Sequence, residues 1–175
     1  MKLKKSDLKK FIRDIPDFPK KGIVFKDITP LLNEPTAFKK SIDLLTQKFK
    51  KENIQQVVAV DARGFIFGSV LAYKLGAGFV PVRKKGKLPY RTKRITYELE
   101  YGSDTLEIHE DTIHAGSRVL IVDDLLATGG TVKAVVDLVE QQNAKIIGIL
   151  FLVELAFLEG KKKLKNYPIY SLIRF

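Results

Sequence analysis

Apolar residues recur along this chain in two different rhythms, and the alternation between them predicts the architecture. In 36–52, Phe38, Ile42, Leu45 and Phe49 fall at helical spacing with lysines on the other face, predicting an amphipathic helix. Four stretches instead run apolar without interruption: "QVVAVD" at 56–61, "FVPVR" at 79–83, "VLIVDD" at 119–124 and "KIIGILFLVE" at 145–154. These read as buried strands. Between the first two, "GFIFGSVLAYKLG" predicts a helix ending near Gly76 or Gly78, and after the third a helix carries Val132, Val135, Val136 and Val139 on one face. Strands alternating with helices at these spacings predict an α/β fold with a mainly parallel sheet covered on both faces by helices.

Two stretches leave this rhythm. Near the N-terminus, Ser6 is placed to cap a short helix bearing Leu8, Phe11, Ile12 and Ile15, after which the prolines and Gly22 of "IPDFPKKGIVFKDITPLL" predict an extended, looping segment. Ile23, Val24 and Phe25 form an apolar island within it. The second departure is an insertion at 84–115. Here Ile95, Tyr97, Leu99 and Tyr101 alternate with polar residues, Gly102, Ser103 and Asp104 can turn, and Leu106 and Ile108 resume the alternation. That predicts a β-hairpin, and a long insertion in a compact domain is a candidate lid. The expected organisation is a single domain over 1–175 with a small N-terminal hood at about 1–35 and a flexible lid at about 84–115.

Composition narrows the classes of function. With 45% hydrophobic residues in 175 the chain can bury a substantial core, and no segment reaches the roughly 18 apolar residues of a membrane span. Cysteine is absent and there are two histidines, His109 and His114, so thiolate metal sites and disulfides are excluded and no metal site built from these side chains alone is expected. The basic N-terminus lacks the apolar run of a leader, and the expected location is the cytoplasm. Against 20 acidic residues stand 31 Lys and Arg, a net charge of +11 that suits an anionic partner or simply solubility.

The chemistry gathers at "VLIVDDLLATGGT", 119–131. Adjacent carboxylates repel and are costly away from water, yet Asp123 and Asp124 end a buried strand. In an open parallel sheet that is where ligands bind. Thr128, Gly129, Gly130 and Thr131 then lead into a helix, so backbone N–H groups, hydroxyls and the helix N-terminus can surround a phosphate. Acids just before such a cradle suit a ribose phosphate, whose 2′- and 3′-hydroxyls donate hydrogen bonds to them. Neither G-x-x-x-x-G-K-[ST] nor G-x-G-x-x-G occurs.

This stretch resembles the 5-phosphoribosyl-1-pyrophosphate (PRPP) motif of type I phosphoribosyltransferases. Four more, "IPDFPKKGIVFKDITPLL", "DARGFIFG", "VPVRKKGKLP" and "YELEYGSDTLEIHEDTI", are similar to the adenine phosphoribosyltransferases in particular, in the same order and over nearly the whole chain. The resemblance implies a purine-salvage transferase that forms AMP and pyrophosphate from adenine and PRPP. It implies Ala127, Thr128, Gly129, Gly130 and Thr131 on the 5′-phosphate and Asp123 and Asp124 on the ribose hydroxyls. Arg63, Lys84, Lys87 and Tyr101 would serve the pyrophosphate, together with Arg83, which in the family reaches a neighbouring site in a homodimer. Val24, Phe25 and Lys26 would form part of the adenine hood, closed by Leu125 and Leu155. Glu100 matches the lid residue that accepts the purine proton, acting with Arg63 as the catalytic pair. Magnesium would be held through PRPP oxygens and water.

Lys26 stands where many relatives carry arginine and Asp61 where many carry glutamate. Two alternatives stay open at this point: the same transfer to hypoxanthine or guanine, and a regulator that senses PRPP while binding nucleic acid, which the +11 charge permits. The intact lid, the dispersed basic residues and the lack of room for a second domain count against the regulator and against nucleic acid as a partner.

Overall fold

The computed structural model describes residues 3–98 and 102–175, and the chain divides into two compact units, Met1–Leu44 and Leu45–Phe175. In the first, a 3₁₀ turn at Lys5–Phe11 precedes a two-stranded antiparallel hairpin of β1 (Arg13–Ile15) and β2 (Phe25–Asp27). Its register sets Arg13 opposite Asp27 and Asp14 opposite Lys26, two pairs of opposite charges, and Ile15 opposite Phe25. Arg13 Nη2 lies 2.6 Å from Asp27 Oδ2, and Lys26 Nζ lies 2.6 Å from Asp14 Oδ1. The other Asp27 oxygen accepts the Thr29 N–H at 2.8 Å, at the start of the short helix α1 (Thr29–Asn33). Helix α2 (Pro35–Phe49) follows, and the division between the units falls within it. Leu8, Ile28, Leu31 and Ala37 are fully buried or nearly so.

Two expectations are corrected here. Ser6 does not cap the first turn: the Asp7 carboxylate accepts the Lys4 N–H at 2.9 Å, and the turn is 3₁₀ rather than α-helical. The segment read as an extended loop starts at the last residue of β1 and contains β2 and most of α1, elements of three, three and five residues that are too short to show a period.

The second unit carries a seven-stranded sheet. Its strands are β3 (Gln56–Val60), β4 (Gly78–Lys84), β5 (Thr92–Glu98), β6 (Ser103–His109), β7 (Arg118–Leu126), β8 (Lys145–Glu154) and β9 (Ile169–Arg174), with helices α3 (Arg63–Leu75) and α4 (Gly130–Glu140). The order is β5-β6-β4-β3-β7-β8-β9, parallel from β4 through β9 and antiparallel where β6 joins β4 and β5. Val57, Val58 and Ala59 of β3 and Leu120, Ile121 and Val122 of β7 are fully buried, as strands with both faces covered must be. The α4 valines pack into the same core, and full burial stabilises each by about 1.5–3 kcal/mol relative to exposure.

The predicted hairpin is present as β5 and β6, but Ser103 and Asp104, expected in its turn, belong to β6, where they pair with Glu98 and Tyr97. Strand β9 went unpredicted because "IYSLIR" neither alternates cleanly nor runs apolar; its parallel pairing with β8 creates it. Among the described residues no helix is long and apolar enough to cross a membrane.

Candidate active site

From β3 the chain crosses to β4 on one side, while β7, β8 and β9 build the other side. The carboxyl ends of β3 and β7 therefore flank a switch point, the place where an open α/β sheet presents a crevice to ligands. A cavity of about 340 Å³ opens there, lined among others by Asp61, Arg63, Lys84, Asp123, Asp124 and Thr131.

Arg63 is the first residue of α3, and its Nη2 lies 2.8 Å from Asp124 Oδ2. Gly64 permits that approach. A Cβ on it would stand 2.9 Å from Asp123 Oδ1 and 3.3 Å from the Val122 carbonyl oxygen, so a side chain there would displace the Asp123 carboxylate and crowd β7. Asp123 Oδ1 accepts the Asp124 N–H at 2.8 Å. Burial pushes the Asp123 carboxyl well above the ordinary carboxylate range, and the neighbouring Asp124 adds to the shift. Burial also raises Asp124, with the Arg63 guanidinium working against it. A carboxylate pair kept in such a place is costly without a ligand that donates hydrogen bonds to it.

Beyond β7, residues 127–129 bend directly into α4. Gly129 has φ 79° and no side chain caps the helix, whose first N–H groups are left for an anion. The Thr131 hydroxyl lies 3.4 Å from the Tyr97 hydroxyl of β5. Ala127 and Thr131 are half-buried, Thr128 is exposed and Leu125 is half-buried.

Facing the carboxylates, Lys84 Nζ pairs with Asp104 Oδ2 at 2.9 Å, and the hydrogen bond between them raises the Lys84 ammonium and lowers the Asp104 carboxyl. Arg83 turns back into its own chain, donating from Nε to Asp61 at 2.9 Å and from Nη1 to the Lys87 carbonyl at 3.0 Å. Lys87 is exposed on the same turn. In the first unit, Val24 is 47% exposed, the Phe25 ring meets Phe18 edge-on at 5.2 Å, and Lys26 is buried against Asp14. Leu155, just past β8, is buried. Glu100 and Tyr101 lie outside the described residues.

The structure thus brings Arg63, Lys84, Asp123, Asp124 and Thr131 to one cavity and adds residues that sequence reasoning missed. Asp61 and Asp104 line it, each holding a cation of the basic turn. Glu107 is buried and accepts the Gly86 N–H at 2.9 Å, fixing the same turn. An acidic residue in a hairpin with glutamates on its polar face carries no sequence signal that it points inward; only the pairing of Glu107 with Arg83 across β4 and β6 reveals it.

A family model for the phosphoribosyl transferase domain matches residues 27–173. The adenine phosphoribosyltransferase of Thermotoga petrophila is 58% identical over 167 residues, 95% of this chain and 98% of that protein. The crystal structure of adenine phosphoribosyltransferase from Thermoanaerobacter pseudethanolicus superposes with a TM-score of 0.95 at 55% identity, covering 98% of this chain and all of that one. The structure of the Saccharomyces cerevisiae enzyme complexed with an imino-altritol bisphosphate and adenine superposes with a TM-score of 0.90 at 46% identity, covering 96% and 97%. With the paired aspartates, Thr131 at the start of α4 and the facing basic residues in one cavity, and likeness running the length of the chain, this protein belongs to the adenine phosphoribosyltransferase family.

Proposed function

We infer that the protein transfers the ribose 5-phosphate of PRPP to adenine, forming AMP and pyrophosphate in purine salvage. One observation carries the reading: Asp123 and Asp124, near the end of β7 and shortly before an uncapped glycine turn, line one cavity with Arg63 and Lys84. The N–H groups of 127–131 take the 5′-phosphate, and the two carboxylates accept hydrogen bonds from the ribose hydroxyls. Arg63, Lys84 and Lys87, with Arg83 and Tyr101, receive the pyrophosphate. Val24, Phe25 and Lys26 of the first unit are assigned to the base, as are Leu125 and Leu155 of the second.

The reaction breaks the bond from C1′ to a pyrophosphate oxygen and forms the bond from C1′ to adenine N9. The guanidinium and ammonium groups stabilise the charge that collects on the departing pyrophosphate. The buried carboxylates favour the positive character that C1′ gains, and Glu100 takes the proton lost from the ring. The hairpin of β5 and β6 excludes water that would otherwise hydrolyse PRPP. Magnesium suits the oxygen donors of this cavity; substrate oxygens and water would hold it beside Asp123 and Asp124, where it would neutralise pyrophosphate charge.

The working unit in this reading is a cytoplasmic homodimer. Support comes from α3, where Ile66 and Tyr73 stand exposed at helical spacing, with exposed Ala62 just before the helix and exposed Phe79 after it, and Tyr73 is 87% accessible. The test of the function is to incubate the protein with PRPP and Mg²⁺ and offer adenine, hypoxanthine, guanine and xanthine separately. AMP from adenine alone is expected. Product from an oxopurine would overturn the base assignment, and PRPP binding without product from any base would overturn catalysis.

A further inference from the structure

The segment after β8 presses backbone against backbone on the phosphate turn. Gly160 and Gly129 are both buried, and neither site has room for a side chain. A Cβ on Gly160 would lie 2.2 Å from the Ala127 carbonyl oxygen and 3.0 Å from the Gly129 nitrogen, while one on Gly129 would lie 2.5 Å from the Gly160 carbonyl oxygen. These are backbone atoms of the turn itself and cannot swing aside as a flexible side chain would. Glu159 makes the reversal that brings Gly160 there, at φ 52° in the left-handed region.

Two anchors hold the segment in place. Lys161, next to Gly160, lies 2.7 Å from Glu154 Oε2; Glu154 is 3% exposed at the end of β8, with Arg174 Nη2 3.4 Å from its other oxygen. Leu164, at the end of the same 3₁₀ turn, is fully buried in the core beneath α4. The contact is therefore built from both sides: a buried carboxylate and a core leucine fix 160–164, and that segment supplies the wall against which Ala127 and Gly129 rest.

We propose that Gly160, tethered through Lys161 to Glu154, is a positioning residue that sets the conformation of the 127–131 turn for the 5′-phosphate. It touches no reacting atom. Its effect is to hold N–H donors in place before the ligand arrives, and a displacement of about 1 Å in groups that position a substrate can cost on the order of 100-fold in rate. The inference rests on the assignment of that turn to PRPP.

The test measures PRPP binding by calorimetry, and the KM for PRPP and for adenine, in wild type, Gly160→Ala, Lys161→Met and Lys161→Arg, with thermal melts as the folding control. Gly160→Ala is expected to raise the Kd and KM for PRPP by about tenfold or more while the adenine KM stays within about twofold. Lys161→Met should shift the PRPP values in the same direction by a smaller factor, and Lys161→Arg should restore them. If Gly160→Ala fails to fold, Lys161→Met decides alone. Wild-type PRPP binding with unchanged PRPP values in every folded variant would overturn the tether, as would equal losses for PRPP and adenine. Absence of PRPP binding by the wild type would instead remove the transferase reading, and the tether's role with it.

Discussion

Asp123 illustrates a side chain kept at a cost to the fold. Its carboxyl is raised by burial and by Asp124, so the folded chain binds a proton more tightly than the unfolded one. A carboxyl raised in this way stabilises the fold fully below the unfolded value of 3.8, and that stability is lost as pH climbs through the folded value. Asp123→Asn, which preserves shape and the acceptor for the Asp124 N–H, is therefore expected to raise the thermal midpoint at neutral pH by about 2–4 °C, the change that ~1 kcal/mol produces in a chain of this size. PRPP binding should weaken in the same variant, and a variant that gains no stability would refute the cost. Glu100 is tested by Glu100→Gln: as the proposed proton acceptor, its loss should lower kcat by about 10²–10⁴ while the substrate KM values hold. Near-normal turnover would remove it from the chemistry.

Among the elements, the β1–β2 hairpin depends most on charge. Hydrogen bonds from the Thr29 side chain and N–H, and then from Arg13, hold the Asp27 carboxyl down to about 2, against an ordinary value of 3.8. The folded state thus releases this proton more readily than the unfolded state. The stability contributed is present above 3.8 and disappears as pH falls through about 2. In thermal melts the gap between wild type and Asp27→Asn should narrow as pH is lowered from about 5 to about 2; a gap independent of pH would show that the carboxylate charge does not matter there. The basic turn between β4 and β5 is held in a comparable way, with Asp61 and Glu107 fixing Arg83 and the Gly86 N–H so that Lys84 starts from a defined position.

The chain as a whole exposes apolar surface along α3, and the homodimer reading makes a direct prediction. Sedimentation should give twice the chain mass, and Ile66→Lys with Tyr73→Lys should shift it to the monomer; a wild-type monomer at micromolar concentration would overturn the dimer. Mixing inactive Arg83→Ala and Asp124→Ala chains should restore activity if Arg83 serves the neighbouring site, whereas no recovery in verified hybrids would confine Arg83 to the Asp61 pairing of its own chain.

Much of this molecule was legible along the chain. Continuous apolar runs identify β3, β4, β7 and β8, because a strand covered on both faces needs no polar side. The phosphate turn is equally plain, since "DDLLATGGT" places two acids, small residues and a helix start in one contiguous stretch. What the chain could not disclose are relations between distant residues. Nothing in the spelling of Gly160 marks it as the wall of a turn about thirty residues earlier; that follows from the path of the chain after β8. Likewise Glu107 differs from any glutamate of a solvated hairpin until β6 is laid beside β4 and its side chain meets the Gly86 N–H. Periodicity and local motifs are written in neighbours along the chain, whereas the support of a site is written in contacts that exist only once the sheet has closed the distance.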